Sequence, residues 1–400
     1  MNYREILDFV HDEDVKFIRL SFCDVFGKQK NVSILPEELP KAFKEGISID
    51  GSAIVGFLDE QDSDLFLYPD PETCCILPWR SLEGQVLRME CQIKNPDDTP
   101  FERDCRYILK QAIQAAKEKG IVFHFGTEFE FYLFKLDENE NNTFIPLDQG
   151  GYMDVSPEDK GEDVRRDICY TLADMGIHPE ASHHEEGPGQ NEIDFRYSDA
   201  LQAADNAQTF KWVVKAISKS SGLYADFGPK PLKQEAGNGL HINVSIDASD
   251  GNSYLYNVIA GVLEHLEEMT LFLNSTESSY ERIGKRKAPK YISWSKHNRT
   301  QAIRIPATKN GKDRFEIRTP DPHCNPYLAF ALIIYAGLDG IERKLQVPEQ
   351  VDENLYQAKE DTTSHLKAIP SSIRKASTVA SESDFIRKYI PKKIIDAYLK

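Results

Sequence analysis

Long apolar runs are missing from this 400-residue chain. Its most nearly apolar stretch, Tyr327–Gly337, falls well short of the roughly 20 residues that cross a bilayer. The opening MNYREILDFVHDEDV has mixed charge and no apolar centre, so no secretory signal is expected. Cysteine pairs at C-x-x-C spacing are absent as well. The seven cysteines are scattered, apart from adjacent Cys74 and Cys75, which suit neither a zinc site nor an ordinary disulfide. Reduced thiols and a cytoplasmic location are therefore expected. Basic charge is scarce: 48 Lys and Arg against 65 Asp and Glu leave a net charge of −17. That balance repels phosphate backbones and anionic membranes, so neither nucleic acid nor a membrane is expected as a partner. Internal repeats, low-complexity tracts, a Walker A loop, a kinase glycine-rich loop and a dinucleotide fingerprint are all lacking.

Apolar and aromatic residues are in good supply, at 40% and 10%. They suffice for a large core, and the chain exceeds the roughly 250–300 residues at which single cores divide. In the first hundred residues, Val15–Phe22 and Gln29–Ile34 alternate as strands around an Asp24–Gly27 turn. A helix is expected from Pro36, where Glu37 and Glu38 suit a first turn. Asp70–Pro78 reads as a strand. Polar, proline-rich Asn95–Pro100 marks a boundary, giving domains 1–100 and 101–400. Beyond it Arg103–Lys119 has helical spacing, with Gly120 as its stop. Further helices are expected over 160–175, 199–221, 253–274 and 324–345, alternating with strands, which makes the class α+β. An amphipathic stretch, Asp384–Leu399, follows the polar segment beyond Pro348.

Period-2 parity singles out four strands. In Ile121–Phe134, Phe123, Phe125, Phe129, Phe131 and Leu133 share one face, while His124, Glu128 and Glu130 share the other. In Gln190–Tyr197, Glu192, Asp194 and Arg196 oppose Ile193, Phe195 and Tyr197. His241, Asn243 and Ser245 alternate with Leu240, Ile242, Val244 and Ile246. Arg314, Glu316 and Arg318 alternate with Phe315 and Ile317. An ordinary sheet with one wet face would alternate too, but would show more Lys, Thr and Gln. If the four strands share a sheet, Glu128, Glu130, Glu192, Glu316 and His241 meet on its polar face, and Glu185 can join them. Carboxylates so crowded need cations. Oxygen ligands with one imidazole suit Mg²⁺ or Mn²⁺. Arg282, Arg299, Arg304, Arg314 and Arg318 add the forked donors that a transferring phosphoryl group needs. The residues thus point to metal-dependent phosphoryl transfer on an antiparallel sheet.

Those motifs resemble the glutamine synthetase family, most closely its bacterial type I branch, over residues 15–345. The carriers are HHEEGPGQNEI at 183–193, RFEIRTPDP at 314–322, GTEFEF at 126–131, and NPYLAF at 325–330 leading to GLDGI at 337–341. The resemblance implies a small β-grasp-like domain before a catalytic domain with a curved antiparallel sheet. It implies two to three Mg²⁺ or Mn²⁺ per site: one held by Glu130, Glu185 and Glu192, another by Glu128, His241 and Glu316. It implies nucleotide contacts at Glu180, Tyr197 and Ser245, glutamate contacts at Gly237, Arg282 and Arg318, and phosphate contacts at Arg299, Arg304 and Arg314. Asp50 corresponds to an ammonium-site aspartate that reaches a neighbouring subunit. The implied assembly is a ring-shaped homo-oligomer, a hexamer or dodecamer, acting on ATP, L-glutamate and ammonium.

Three departures stand out. The family's flap carries a glutamate where this chain has Lys287, within Arg282-Ile-Gly-Lys-Arg-Lys-Ala-Pro289. An asparagine of its glutamate loop becomes Ala236, unless Asn238 compensates. The family's Trp-Glu-containing last segment has no counterpart before Lys400, which raises the expectation of a changed ring-to-ring contact. Three readings follow: glutamine synthetase, which is preferred; a γ-glutamyl-amine ligase with a larger acceptor; and a non-catalytic sensor of ATP and glutamine.

Overall fold

The computed structural model describes residues 3–80, 84–309 and 313–399. Strands β1 (Val15–Cys23), β2 (Gln29–Ile34), β3 (Ile47–Asp50), β4 (Asp64–Pro69), β5 (Cys75–Ile76) and β6 (Gln85–Lys94) form one sheet. Its order is β2-β1-β6-β4-β3, with β5 against β6, and β1 runs parallel to β6. Alternation explains its core: Ile18, Leu20, Leu65, Leu67, Leu87 and Met89 are fully buried. A helix over Tyr3–Asp12, unforeseen from sequence, adds Ile6 and Val10 to that core.

The second sheet has nine strands: β7 (Ile121–Leu136), β8 (Asn142–Pro146), β9 (Pro179–His184), β10 (Gln190–Asp199), β11 (Leu223–Asp226), β12 (Leu240–Ala248), β13 (Trp294–Lys296), β14 (Ile303–Ile305) and β15 (Arg314–Ile317). The main order is β13-β14-β15-β12-β7-β10-β9, antiparallel except between β13 and β14. The four strands expected to share a sheet do share this one. Its apolar face packs on helices Cys105–Glu118, Ala200–Ser220 and Pro326–Glu342: Phe125 stacks on Phe330 at 4.3 Å, and Phe129 meets Phe210 at 4.9 Å. Each such buried ring contributes about 1.5–3 kcal/mol. The helices begin where their caps dictate. Asp104, Asp199 and Asn325 each accept a backbone N–H of the first turn.

Buried ion pairs tie the two sheets together. Arg106 bridges Asp70, at 2.8 Å, and Asp205, at 2.9 Å, and Asp205 also accepts from the Tyr327 hydroxyl. The Asp24–Gly27 turn docks into the catalytic body through Asn325, Gln208 and Tyr398. Gly27 has φ +75°, and a Cβ there would lie 3.0 Å from the Asn325 Cα.

Several expectations need correcting. Asp70–Pro78 is a 3-10 turn over Pro71–Thr73 and then only Cys75–Ile76 in strand, because Asp70 caps the turn and Pro71 fixes its start. The helix from Pro36 opens as a 3-10 turn before Leu39–Glu45. Pro391 splits the final amphipathic stretch into Asp384–Tyr389 and Lys392–Tyr398.

Candidate active site

Strand registers set the polar side chains in rungs across the nine-stranded sheet. His183, Glu192 and Glu130 share the first rung. Asp194, Glu128 and His241 share the second. Asn243, Glu316 and Arg304 form the third. His124, Ser245 and Arg314 form the fourth. Successive rungs are about 7 Å apart, twice the rise of a strand residue.

Ligand atoms of Glu128, His241 and Glu316 lie within 4.8 Å of one another. The same holds for His183, Glu185 and Glu192, and for Glu128, Glu192 and Asp194. The charge crowding is visible in the acids themselves. Burial, aided by the Glu192 and Glu128 charges, pushes the Asp194 carboxyl far above the usual range, and its buried Oδ1 has no hydrogen-bond partner. Burial also raises Glu130 against the pull of His241, with Glu192 and Glu185 adding to the rise. Glu128 goes the other way. Burial would raise it, but His241 at 3.2 Å and the Asn243 amide at 2.8 Å hold it low. An orphaned carboxylate oxygen amid carboxylates and imidazoles is what a hard divalent cation satisfies, so the residues present fit such an ion.

Arginines border the acids. Glu316 is fully buried and pairs with both Arg304 and Arg318, the latter at 2.6 Å. Arg318 also donates to the Arg299 carbonyl, while the Arg299 side chain stays exposed. Arg282 is buried and donates only to the carbonyls of Thr319 and Arg318. Among the described residues it has no ion pair, so its charge is left for an incoming anion. The loop beside it must be glycine: a Cβ on Gly237 would lie 2.5 Å from the Pro229 carbonyl and 2.8 Å from the Arg282 Cγ.

Family models now meet this geometry. One described as glutamine synthetase, catalytic domain, matches residues 102–400, and one described as glutamine synthetase, beta-Grasp domain, matches residues 14–96. The chain belongs to the glutamine synthetase family. The glutamine synthetase of Methanosarcina mazei is 43% identical, covering 99% of this chain and 92% of that one. The glutamine synthetase of Staphylococcus aureus strain MW2 is 41% identical over the same shares. A GmaS/ADP complex superposes with a TM-score of 0.89 at 27% identity, covering 98% of this chain and 93% of the other. A Plasmodium falciparum glutamine synthetase superposes with a TM-score of 0.87 at 23% identity, covering 100% and 94%, and speaks for the fold alone.

Within this glutamine synthetase fold, the structure places Glu128, Glu130, Glu185, Glu192, His241 and Glu316 together. Glu180 lies exposed on β9, close enough for its charge to act on Asp194. Ser245 and Arg314 stand opposite each other at the fourth rung, where Arg314 donates to Asn243 at 3.1 Å. Tyr197 corrects the parity reading. The β10 register shifts between Phe195 and Ser198, which turns Tyr197 onto the polar side, with its Cβ above Gly126 and its ring 5.9 Å from His124. Asp50 stays apart from the rungs: it is exposed, and its carboxylate caps its own turn at Ser52. His183 and Asp194 have no role in the sequence reading, yet they join the acids here. Parity already put Asp194 on the Glu192 face; only the β9 register brings His183 in. Asn238 does not replace the asparagine lost at Ala236, because its amide donates inward to Asp226 and Gly228 and its oxygen accepts from Gln190. Lys287 lies inside the site, its Nζ 3.6 Å from both Glu185 and Glu186.

Proposed function

We propose that the protein joins ammonia to the side-chain carboxylate of L-glutamate at the expense of ATP, through γ-glutamyl phosphate, giving glutamine, ADP and phosphate. What carries the reading is the set of four rungs: acids at one end, arginines around the third, and Ser245, Tyr197 and Arg314 at the other end. Names of the relatives favour ammonium over a larger amine as acceptor. Arg282, buried and without an ion pair among the described residues, receives a glutamate carboxylate, with Gly237 letting the substrate approach. Arg299, Arg304 and Arg314 orient the ATP phosphates, and Glu180, Tyr197 and Ser245 flank the nucleotide. Glu130, Glu185 and Glu192 hold one divalent cation, and Glu128, His241 and Glu316 a second. Bound there, Mg²⁺ or Mn²⁺ supplies Lewis-acid neutralisation of the phosphoryl oxygens. Arg318 holds the Glu316 carboxylate in one orientation rather than leaving it free to turn.

Asp50 takes the proton from ammonium in a neighbouring subunit's site. Its exposure at the edge of the first sheet fits a residue that works across a boundary, in a ring of six or twelve subunits. We set the division between the two domains near residue 100, a few residues beyond the end of β6 at Lys94. No described helix is long and apolar enough to cross a membrane.

The test is ATP-dependent phosphate release with glutamate and a panel of amines that includes ammonium, with the product identified by mass. Glutamine formed with ammonium at the highest kcat/KM supports the reading. Turnover with another amine but not with ammonium would overturn it.

A further inference from the structure

A second charged cavity lies where the two sheets' domains meet, and none of its lining residues belongs to the carboxylate rungs. Its volume is about 600 Å³, between the Gly27–Asn31 hairpin, helix Ala200–Ser220, β11 and Pro322–His323. Lys211 and Lys215 sit one turn apart on the helix and share a face. Lys28 faces them from the hairpin. Among the described residues the Lys211 Nζ reaches only the Pro322 carbonyl, at 3.5 Å, and the Lys215 Nζ lies 5.8 Å from the Phe227 ring centre.

The nearby carboxylates are already engaged. Asp24 pairs with Lys30 at 3.7 Å and accepts the backbone N–H groups of Phe26 and Lys28. Asp321 accepts from Asn274 and from the His323 N–H. Asp226, which accepts from Gly228, is the single carboxylate among the described residues of the lining. Three lysines therefore face one acid, in a chain whose net charge is −17. Desolvation by the surrounding protein and the neighbouring lysine's charge both work against protonation of Lys211 and of the more exposed Lys215. Two polar groups also lack partners there: the buried Ser21 Oγ and the Gln29 Nε2. Like charges held together beside unused donors are offset by a bound anion.

We propose that this cavity binds a small polyanion bearing two or more carboxylate or phosphate groups, which clamps the first sheet onto the catalytic body. Lysine ammoniums serve either acid as point charges, and the volume suits a small molecule. The clamp matters to function because Asp50 rides on the first sheet.

Calorimetric titration of the assembled enzyme, with Mg²⁺ and ADP filling the active site, tests this with two probes, pyrophosphate and succinate. Saturable binding of either, together with a raised melting temperature, is expected, and the probe that binds identifies the acid. Lys215→Gln should weaken it about tenfold or more, the equivalent of one charge-assisted hydrogen bond. Arg304→Gln, in the active site, should leave it unchanged. Lys28→Gln, on the other side of the cavity and also at an exposed position, must act in the same direction as Lys215→Gln and covers the case in which that variant fails to fold. No saturable binding of either probe overturns the proposal. So does binding that Arg304→Gln removes and both lysine variants retain.

Discussion

Removing the charge of Lys287 should tighten the binding of divalent metal. Its Nζ lies 3.6 Å from the Glu185 Oε2, 3.6 Å from the Glu186 Oε2 and 4.5 Å from the centre of the Tyr152 ring. A cation that takes Glu185 as a ligand has to displace this ammonium. Were the contacts dry, each would amount to several kcal/mol. The lysine side chain is 51% exposed, however, and Glu185 is 8% exposed, so screening leaves about 0.5–1 kcal/mol for the displacement. Lys287→Gln keeps most of the side chain and removes the competitor. The half-saturating Mg²⁺ or Mn²⁺ concentration should then fall about two- to fivefold. Equilibrium Mn²⁺ binding read by electron paramagnetic resonance, alongside initial rates of phosphate release, measures it. Lys287→Glu adds an acid near the amine's approach and should also raise glutamine formation at low ammonium. If Lys287→Gln leaves half-saturation unchanged or raises it, the flap lysine does not compete with the metal.

Asp50→Asn should cost a factor of about 10²–10⁴ in kcat, as loss of a general base commonly does. Glu130→Gln should also inactivate, and mixed oligomers of the two variants should regain part of the activity, because some boundaries then hold both native residues. Absence of any recovery on mixing would place both residues in one subunit's site. Gly261→Ala should lower stability by about 1–3 kcal/mol, since its Cβ would sit 2.0 Å from the Ala336 carbonyl where helices Leu255–Leu273 and Pro326–Glu342 cross; unfolding in urea measures it. Burial alone would depress His265, but its ion pairs with Glu268 and Asp339 prevail and raise it. That contribution is complete below the unfolded pKa of about 6.5 and is lost as pH rises through the folded value. His265→Gln should therefore lower the melting temperature more at pH 6 than at pH 9, and equal losses at both would refute the assignment.

The sequence by itself carried the rung logic. Alternation in Ile121–Phe134, Gln190–Tyr197, Leu240–Ile246 and Arg314–Arg318 separates core from chemistry, because a strand's side-chain period is two and does not depend on its neighbours. The acids Glu128, Glu130, Glu192 and Glu316 and their partner His241 were legible for that reason, and the main helices for their spacing and caps. Registers were not legible. Which residue of β9 faces Glu192 depends on pairing between chain segments, so His183 emerged only in the fold. The β10 bulge that moves Tyr197 across the sheet is likewise set by neighbouring strands, not by its own residues. Lys287 could be seen as a departure in sequence, but its contact with Glu185 and Glu186 needed the loop's path. The lysines around Ser21 and Gln29 are far apart along the chain and ordinary in composition. Only the docking of the first sheet on helix Ala200–Ser220 gathers them, since tertiary packing alone decides which charges are left without a partner.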